Sequence, residues 1–169
     1  MLNYQTVQQD IEYWIQNFVE VPHPALGGWA PCPYARKARL DRDFEVRLGL
    51  APIHDLVSIG QRGLGGKSVV MFVYEPHQVS HAELSHAINI CNQKFLLPQG
   101  FIALEDHPSD AEIVNGVSMN QGTHALALVQ GVQDLDAKAA AMAARGFYDT
   151  WPGDYLAELF KGRRDPRQA

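Results

Sequence analysis

Histidine is the residue type in this sequence with the widest chemical scope, because imidazole both ligates metal ions and moves protons near neutral pH. The chain has seven histidines. One of them, His107, directly follows the apolar run 101–104 and the acidic pair Glu105-Asp106. This position places it at the end of a predicted strand, where loops often display reactive side chains. His107 is therefore the first candidate ligand, with a neighbouring carboxylate to orient its second nitrogen; a solvated loop histidine is the alternative.

The other histidines carry weaker signals. His124 opens a predicted strand and is the second catalytic candidate. His77 and His81 are four residues apart, but Pro76 places His77 ahead of the predicted helix, which does not favour joint coordination. Core packing, helix capping or solvation accounts for His54, His77, His81 and His86.

A cysteine followed by proline is the next candidate. Cys32 lies between Pro31 and Pro33, and a Cys-Pro dipeptide can present a thiolate to ferric heme. The alternative is a buried structural thiol in a tight turn. The sequence leaves both interpretations open.

Three cations and two aromatic residues surround this motif. Arg36, Lys37 and Arg39 form a local basic cluster in an acidic protein. Guanidinium and ammonium groups suit carboxylates, including heme propionates, although a solvated surface would have the same composition. Trp29 and Tyr34 are placed to form the walls of a pocket next to the cysteine.

Composition narrows the class of protein. Of 169 residues, 46% are hydrophobic and 20% are charged, which is typical of a globular domain. The net charge of −5 argues against nucleic acid as a partner. Two cysteines in dissimilar settings cannot form a disulfide framework. The absence of a long apolar run and of signal-peptide features predicts a cytoplasmic protein that does not bind membranes.

Hydrophobic periodicity predicts the elements that position these residues. Helices are expected over 3–19, 52–63, 79–95, 134–145 and 155–160, and strands over 44–50, 68–74, 100–105 and 123–130. Ser80 and Glu83 form a predicted capping box, and Asp134 is the expected N-cap of its helix.

The order of these elements predicts one α+β domain over residues 1–169. It consists of the N-terminal helix 3–19, a Pro/Trp/Cys-rich loop over 21–35, an α+β core over 40–147, and a short helix with a polar tail over 151–169. We expect a mixed or antiparallel sheet of about four strands with helices packed on one face. A permuted ferredoxin-like arrangement is one form that this order allows.

The segment Pro31-Cys32-Pro33-Tyr34-Ala35 resembles the P-C-x-[FY]-A signature of the bacterial YqcI/YcgG family. It is also similar to the C-P-F-A signature of an uncharacterised bacterial family, and the order of elements over 30–130 is similar as well. Some YqcI/YcgG members are heme-dependent enzymes that hydroxylate nitrogen in guanidino or amino substrates. The resemblance implies that His107 is the family's post-strand histidine. The chain departs from the family in being shorter and in having Asp110-Ala111-Glu112 where arginine and serine are expected.

The leading hypothesis is a heme-binding oxidoreductase with His107 as the proximal iron ligand. The basic cluster 36–39 would hold the propionates, and Trp29 and Tyr34 would wall the pocket. The iron would activate oxygen or peroxide. By analogy with the family, the substrate would be a small nitrogenous or aromatic metabolite.

Two alternatives remain. One is a non-heme metal enzyme that uses His107, His124 and a carboxylate from Glu105 or Asp106. The other is a cofactor-free binding or accessory module whose Trp/Pro/Cys loop is a partner surface. A homodimer is compatible with each of them.

Overall fold

A four-stranded mixed sheet organises the chain, whose residues 1–168 are described by a computed structural model. The strands are β1 (Phe44–Leu48), β2 (Val69–Tyr74), β3 (Phe101–Asp106), β4 (Ile113–Val114), β5 (Val117–Ser118) and β6 (Ala125–Gly131). The helices are α1 (Tyr4–Trp14), α2 (Ala35–Leu40), α3 (Pro52–Arg62), α4 (His81–Cys91), α5 (Val132–Ala143) and α6 (Gly153–Leu159). The prediction of a single α+β domain with about four strands in its sheet is confirmed.

The strand order is β1-β2-β6-β3, with β4 and β5 forming a separate hairpin. β1 and β2 are parallel, as their connection through α3 allows, whereas β6 is antiparallel to both β2 and β3. Leu104 of β3 lies opposite Leu128 of β6, and Asp106 lies opposite Leu126. β3 is therefore an edge strand, and its last residues lie next to the first residues of β6.

Helices cover both faces of the sheet, where the sequence predicted one. Side chains of α3 and α4, among them Leu56 and Leu84, pack against Phe72 on one face. On the other face, Ile11 of α1 packs in a cluster with Met71 of β2. The expectation of one covered face was wrong because β2 is apolar on both sides, and such a strand must be buried on both faces.

A smaller cluster of apolar side chains gathers the C-terminal segment. It combines Leu26 from the N-terminal loop and Val114 from the hairpin with Ala139, Phe147, Tyr148, Trp151, Leu156 and Phe160. Four of these form a chain of aromatic contacts, with ring centroids 4.8 Å apart for Phe147 and Tyr148. The C-terminal segment therefore forms a second, smaller hydrophobic cluster beside the sheet.

The predicted helix ends at residues 19 and 95 are confirmed to within one residue, because residues 15–19 and 92–96 continue α1 and α4 as π-helical turns. Two other features differ from the predictions. The helix α2 was not predicted. The N-cap of α5 is Gly131, so the prediction of Asp134 was wrong: Asp134 lies in the first turn and pairs instead with Lys138, 2.6 Å away.

The capping box at the start of α4 is confirmed. The Ser80 side chain accepts a hydrogen bond from the Glu83 amide, and the Glu83 carboxylate accepts one from the Ser80 amide. This pair fixes the first turn of α4, which begins with His81. Within residues 1–168, no helix has the length and hydrophobicity needed to cross a membrane.

Candidate functional site

His107 is buried, and hydrogen bonds within the protein engage both of its ring nitrogens. Nε2 lies 3.0 Å from the Val79 carbonyl oxygen, while Nδ1 accepts from the Ser109 amide at 3.2 Å and lies 2.7 Å from the Ser109 hydroxyl. The residue is only 3% exposed. A neutral ring protonated at Nε2 satisfies this arrangement. His107 thus fastens the loop after β3 to the residues before α4.

His124 is also buried, and its Nε2 lies 2.9 Å from Asp10 Oδ2. This contact joins the start of β6 to α1. Across residues 1–168, the group of side chains close enough to hold one metal ion includes neither His124 nor His107. The structure does not bring these two histidines together with a carboxylate as a ligand set.

Cys32 lies on the wall of a cavity between the sheet and the C-terminal aromatic cluster. Its amide donates to the Val19 carbonyl oxygen, which holds the turn against the end of the first helix. Burial raises the pKa of the Cys32 thiol. The thiol is therefore mostly protonated at physiological pH when no metal is bound.

The basic cluster on α2 faces other parts of the surface. Arg39 forms a bidentate pair with Glu20, at 2.9 and 2.7 Å, and Lys37 pairs with Asp41. Arg36 is exposed. None of the three cations of α2 lines the cavity that contains Cys32.

The two predicted aromatic wall residues also lie outside this cavity. Trp29 packs edge-on against Phe147 and beneath the Arg145 guanidinium, while Lys138 lies over the ring of Tyr34. Of the residues assigned to heme, only Cys32 lines the cavity. These side chains do not fit a heme site, and heme binding through His107 stays a prediction that the geometry does not favour.

A different group of three side chains lies close enough together to bind one metal ion. His81 Nε2 lies 3.5 Å from Glu105 Oε1 and 3.4 Å from Asp110 Oδ2, and one ligand atom from each residue falls within 4.8 Å of the others. His81 is the first residue of α4, Glu105 is near the end of β3, and Asp110 is in the following loop. Three separate segments therefore converge on one point.

Two atoms of this group are buried without a hydrogen bond. His81 Nε2 and Glu105 Oε2 have no partner among the described residues, although Ser85 lies 3.2 Å from the other Glu105 oxygen. A buried polar atom that lacks a partner is rare in proteins and indicates a missing water, ion or ligand. Both atoms can donate a lone pair to a cation.

Asn120 holds the loop that carries Asp110. Its amide nitrogen donates to the carbonyl oxygens of Asp110 and His107, at 2.9 and 3.3 Å, and to Asp106 Oδ1 at 3.1 Å. Its side-chain oxygen accepts from the Glu112 amide at 2.8 Å. Burial raises the pKa of Asp106, the last residue of β3. One amide side chain thus positions the whole acidic loop.

The cavity next to this group has a volume of about 710 Å³. Its polar lining is mostly acidic and comprises His81, Ser85, Glu105, Asp106, Asp110, Glu112 and Glu158. Its apolar lining includes Trp14, Phe18, Leu104, Leu128, Met142, Phe147, Tyr148, Trp151, Tyr155 and Leu159. Among residues 1–168, no lysine or arginine contributes to its wall. The cavity is therefore apolar and aromatic, and the carboxylates of Glu105, Asp106, Asp110 and Glu112 lie close together in its wall and form its acidic end.

Glu112 and Tyr155 meet across this cavity, with Tyr155 Oη 3.4 Å from Glu112 Oε2. Burial and the neighbouring carboxylates of Asp106 and Asp110 raise the pKa of Glu112 to about 7. Burial and the Glu112 carboxylate raise the pKa of Tyr155 as well. Burial is the main cause of both shifts, and the neighbouring carboxylates add to it.

Sequence reasoning named Glu105 but missed the other two members of the group. His81 was assigned to packing or solvation, because its position after Ser80 gives no sign of what lies across from it. Asp110 was named only as a departure from the family motif. The two residues become partners only when α4 packs beside β3, and no local spacing encodes that contact.

A comparison of the chain with protein-family models, with curated proteins and with solved structures found no match. The resemblance to the YqcI/YcgG family therefore stays an expectation based on one short motif and on the order of elements over residues 30–130.

Proposed function

We propose that the protein is a metal-dependent enzyme in which His81, Glu105 and Asp110 bind one divalent transition-metal ion. The adjacent cavity holds a small apolar substrate against this ion. The observation that carries the proposal is the convergence of three ligand-type side chains, two of them with buried, unpartnered donor atoms, at the acidic end of a large cavity.

The spacing of the donor atoms supports an ion more than a network of hydrogen bonds. Hydrogen-bonded nitrogen and oxygen atoms lie about 2.7–3.2 Å apart, whereas His81 Nε2 is 3.5 and 3.4 Å from the two carboxylates. Ligand atoms that share a tetrahedral ion at about 2.0–2.2 Å lie about 3.3–3.6 Å apart. The two separations that involve His81 fall in the second range.

The donor set indicates the class of metal. One imidazole and two carboxylates suit Zn²⁺, Fe²⁺ or Mn²⁺ better than they suit Cu⁺, which prefers sulfur ligands. Three protein ligands leave coordination positions open, which is typical of catalytic and not of structural sites. When bound, such an ion would supply Lewis-acid or redox chemistry at those open positions.

The residues around the group would orient the ligands. Ser85, 3.2 Å from Glu105, and Asn120, bonded to the Asp110 backbone, fix the two carboxylate-bearing segments. The side chains of His81 and Asp110 are 36% and 44% exposed, so solvent and small molecules would reach the ion. This proposal keeps the non-heme metal hypothesis but relocates the site, with Glu105 as the one shared residue.

Isothermal titration of the metal-free protein with Zn²⁺, Mn²⁺ and anaerobic Fe²⁺ tests the proposal. We expect about one ion per chain for at least one of these metals. The variants His81→Ala, Glu105→Gln and Asp110→Asn should each weaken binding at least about 100-fold, since loss of a direct ligand costs more than loss of a supporting residue.

His86→Ala is the matched control, because His86 is an exposed histidine on the same helix. It should bind the metal like the unmodified protein. Thermal melts establish that each variant is folded. Equal binding by the His81 and His86 variants, or no binding by the unmodified protein, would contradict the proposal and favour the cofactor-free binding module.

A further inference from the structure

The sheet has two edge strands, β3 and β1, and they differ in what lies along their outer edges. On β3, the Asn92 side chain donates to the Ala103 carbonyl oxygen at 2.9 Å and accepts from the Ala103 amide at 2.8 Å. This side chain takes the place of a further strand. On β1, no described residue outside the sheet forms a hydrogen bond with the backbone of Phe44, Val46 or Leu48. An uncovered edge of this kind is a template for pairing with another strand.

The free backbone groups of β1 belong to alternate residues. The Asp43 carbonyl oxygen accepts from the Ser68 amide at 3.1 Å, and the Gly49 amide donates to the Val73 carbonyl oxygen at 2.9 Å. The backbone groups at odd-numbered positions therefore face β2. Successive residues of a strand direct their N–H and C=O groups to opposite sides. The even-numbered positions of β1 thus direct theirs away from the sheet.

A groove of about 550 Å³ lies along this edge. α1, which covers one face of the sheet, lines the groove with Gln8 and Glu12. Glu45 lines it as well, and its partner Arg47 lies over the ring of Phe72 on the opposite face. Because residues from both faces of the sheet border the groove, the groove follows the edge of β1 itself.

The sequence of β1 is complementary to itself when two copies are antiparallel. Around a two-fold axis at Val46, Phe44 lies opposite Leu48 of the second copy, and Glu45 lies opposite Arg47 of the second copy. Each opposed pair is thus either apolar on both sides or acidic against basic. The Glu45 and Arg47 side chains are 39% and 33% exposed, so both are available at the edge. Opposite charges that face each other across two strands are stabilising, whereas like charges are destabilising.

The same register also aligns the free backbone groups. Positions 44, 46 and 48 of one copy face positions 48, 46 and 44 of the other, and directly opposed residues of this kind exchange two N–H···O bonds. A shift of one residue would place the charged side chains opposite apolar ones. Side chains and backbone therefore favour one alignment.

We propose that β1 pairs antiparallel with β1 of a second copy, so that two four-stranded sheets join into one continuous sheet across a two-fold axis at Val46. The self-complementary charges favour a second copy over an unrelated partner, because one strand supplies both members of each charge pair. The inference does not depend on the metal site, whose residues lie on α4, on β3 and in the loop after β3, at the opposite edge of the sheet.

Sedimentation of the unmodified protein at increasing concentration is the first test. We expect a reversible dimer with twice the 18.8 kDa mass of the chain. Hydrogen exchange, resolved by residue, locates its interface. The amides of Phe44, Val46 and Leu48 should exchange more slowly as the dimer forms, whereas those of Glu45 and Arg47, which face β2, should change little. A monomer at all concentrations, or protection confined to another part of the surface, would overturn the inference.

Charge reversal provides a second test, which includes its own rescue. Glu45→Arg and Arg47→Glu each place like charges opposite each other in the dimer. Each variant should therefore raise the dissociation constant of the dimer at least about tenfold. An equimolar mixture of the two variants should dimerise again, because opposite charges then face each other in every pair. The double variant with both changes should dimerise by itself for the same reason.

Arg62→Glu is the matched control, because it reverses an exposed charge on α3 and should leave the dimer unchanged. Thermal melts establish that each variant is folded. Single variants that dimerise like the unmodified protein would overturn the inference. Single variants that become monomeric but are rescued neither by mixing nor by the double change would overturn it too. Since none of these changes touches His81, Glu105 or Asp110, metal titration of the same variants shows that the two proposals fail separately.

Discussion

His81 Nε2 lies 3.4 Å from Asp110 Oδ2, although the two residues belong to a helix and to a loop that follows a different strand. A capping box fixes the first turn of α4, and Asn120 fixes the backbone of the loop. The capping box holds the turn that carries His81, and Asn120 holds the loop that carries Asp110. The two side chains therefore need to move little to bind an ion. Preorganisation of this kind is what distinguishes a binding site from a chance contact.

Replacement of His107 by alanine should destabilise the protein without removing the metal site. The change deletes the bonds to Val79 and Ser109 and removes a buried ring from the junction that it fills. We expect a loss of about 1–3 kcal/mol in the free energy of unfolding, measured by urea denaturation. The folded variant should retain metal binding. Full stability combined with complete loss of a bound cofactor would instead support His107 as a ligand.

Replacement of Asn120 by alanine should weaken metal binding, because it releases the backbone of Asp110. A supporting residue of this kind is worth about 10–100-fold in metal affinity, and titration of the folded variant measures the change. Asn115→Gly is the control, since Asn115 anchors the neighbouring hairpin to Ala25 and Thr150 without touching the site. If both variants bind metal equally well, Asn120 has no positioning role.

Loss of the α4 cap should affect both stability and the site. Ser80→Ala removes the acceptor for the Glu83 amide, and such a change costs about 1 kcal/mol in the free energy of unfolding. Because His81 is in the turn that the cap fixes, metal affinity should fall as well. The control Ser58→Ala alters a hydroxyl that bonds to the Asp55 carbonyl within α3 and should leave metal affinity unchanged.

Both cysteines should react slowly in the folded protein. Burial raises the pKa of Cys32 and of Cys91, so little thiolate is present at pH 7.5. Labelling with iodoacetamide, followed by mass spectrometry, should be at least about tenfold slower in buffer than in urea. Rapid labelling of Cys32 in the folded protein would contradict a neutral thiol and favour its role as a thiolate ligand.

The sequence was most informative where a pattern is local. The apolar run at 68–74 predicted a central strand, and Ser80 with Glu83 predicted the start of α4; both are present. The sequence also contained a signal for the second covered face of the sheet. A strand that is apolar on both sides must be covered by other elements on both faces.

The site was less predictable because its members are distant in sequence. Glu105 stood out at a strand end, but the role of His81 depends on how α4 packs beside the edge strand β3. His107 looked more reactive than His81 from its local setting, and the structure shows its ring nitrogens bonded to Val79 and Ser109. Neighbours along the chain could not reveal which histidine keeps a free lone pair.

Elemental analysis combined with a visible absorption spectrum tests the central claim most directly. The protein is dialysed against Zn²⁺, Mn²⁺ or anaerobic Fe²⁺, freed of loosely bound ions, and compared with a sample incubated with hemin. We expect about one divalent ion per chain, lost in His81→Ala and kept in His86→Ala, and no sharp Soret band after hemin is added. One tightly bound heme per chain with no divalent ion at His81 would contradict the claim.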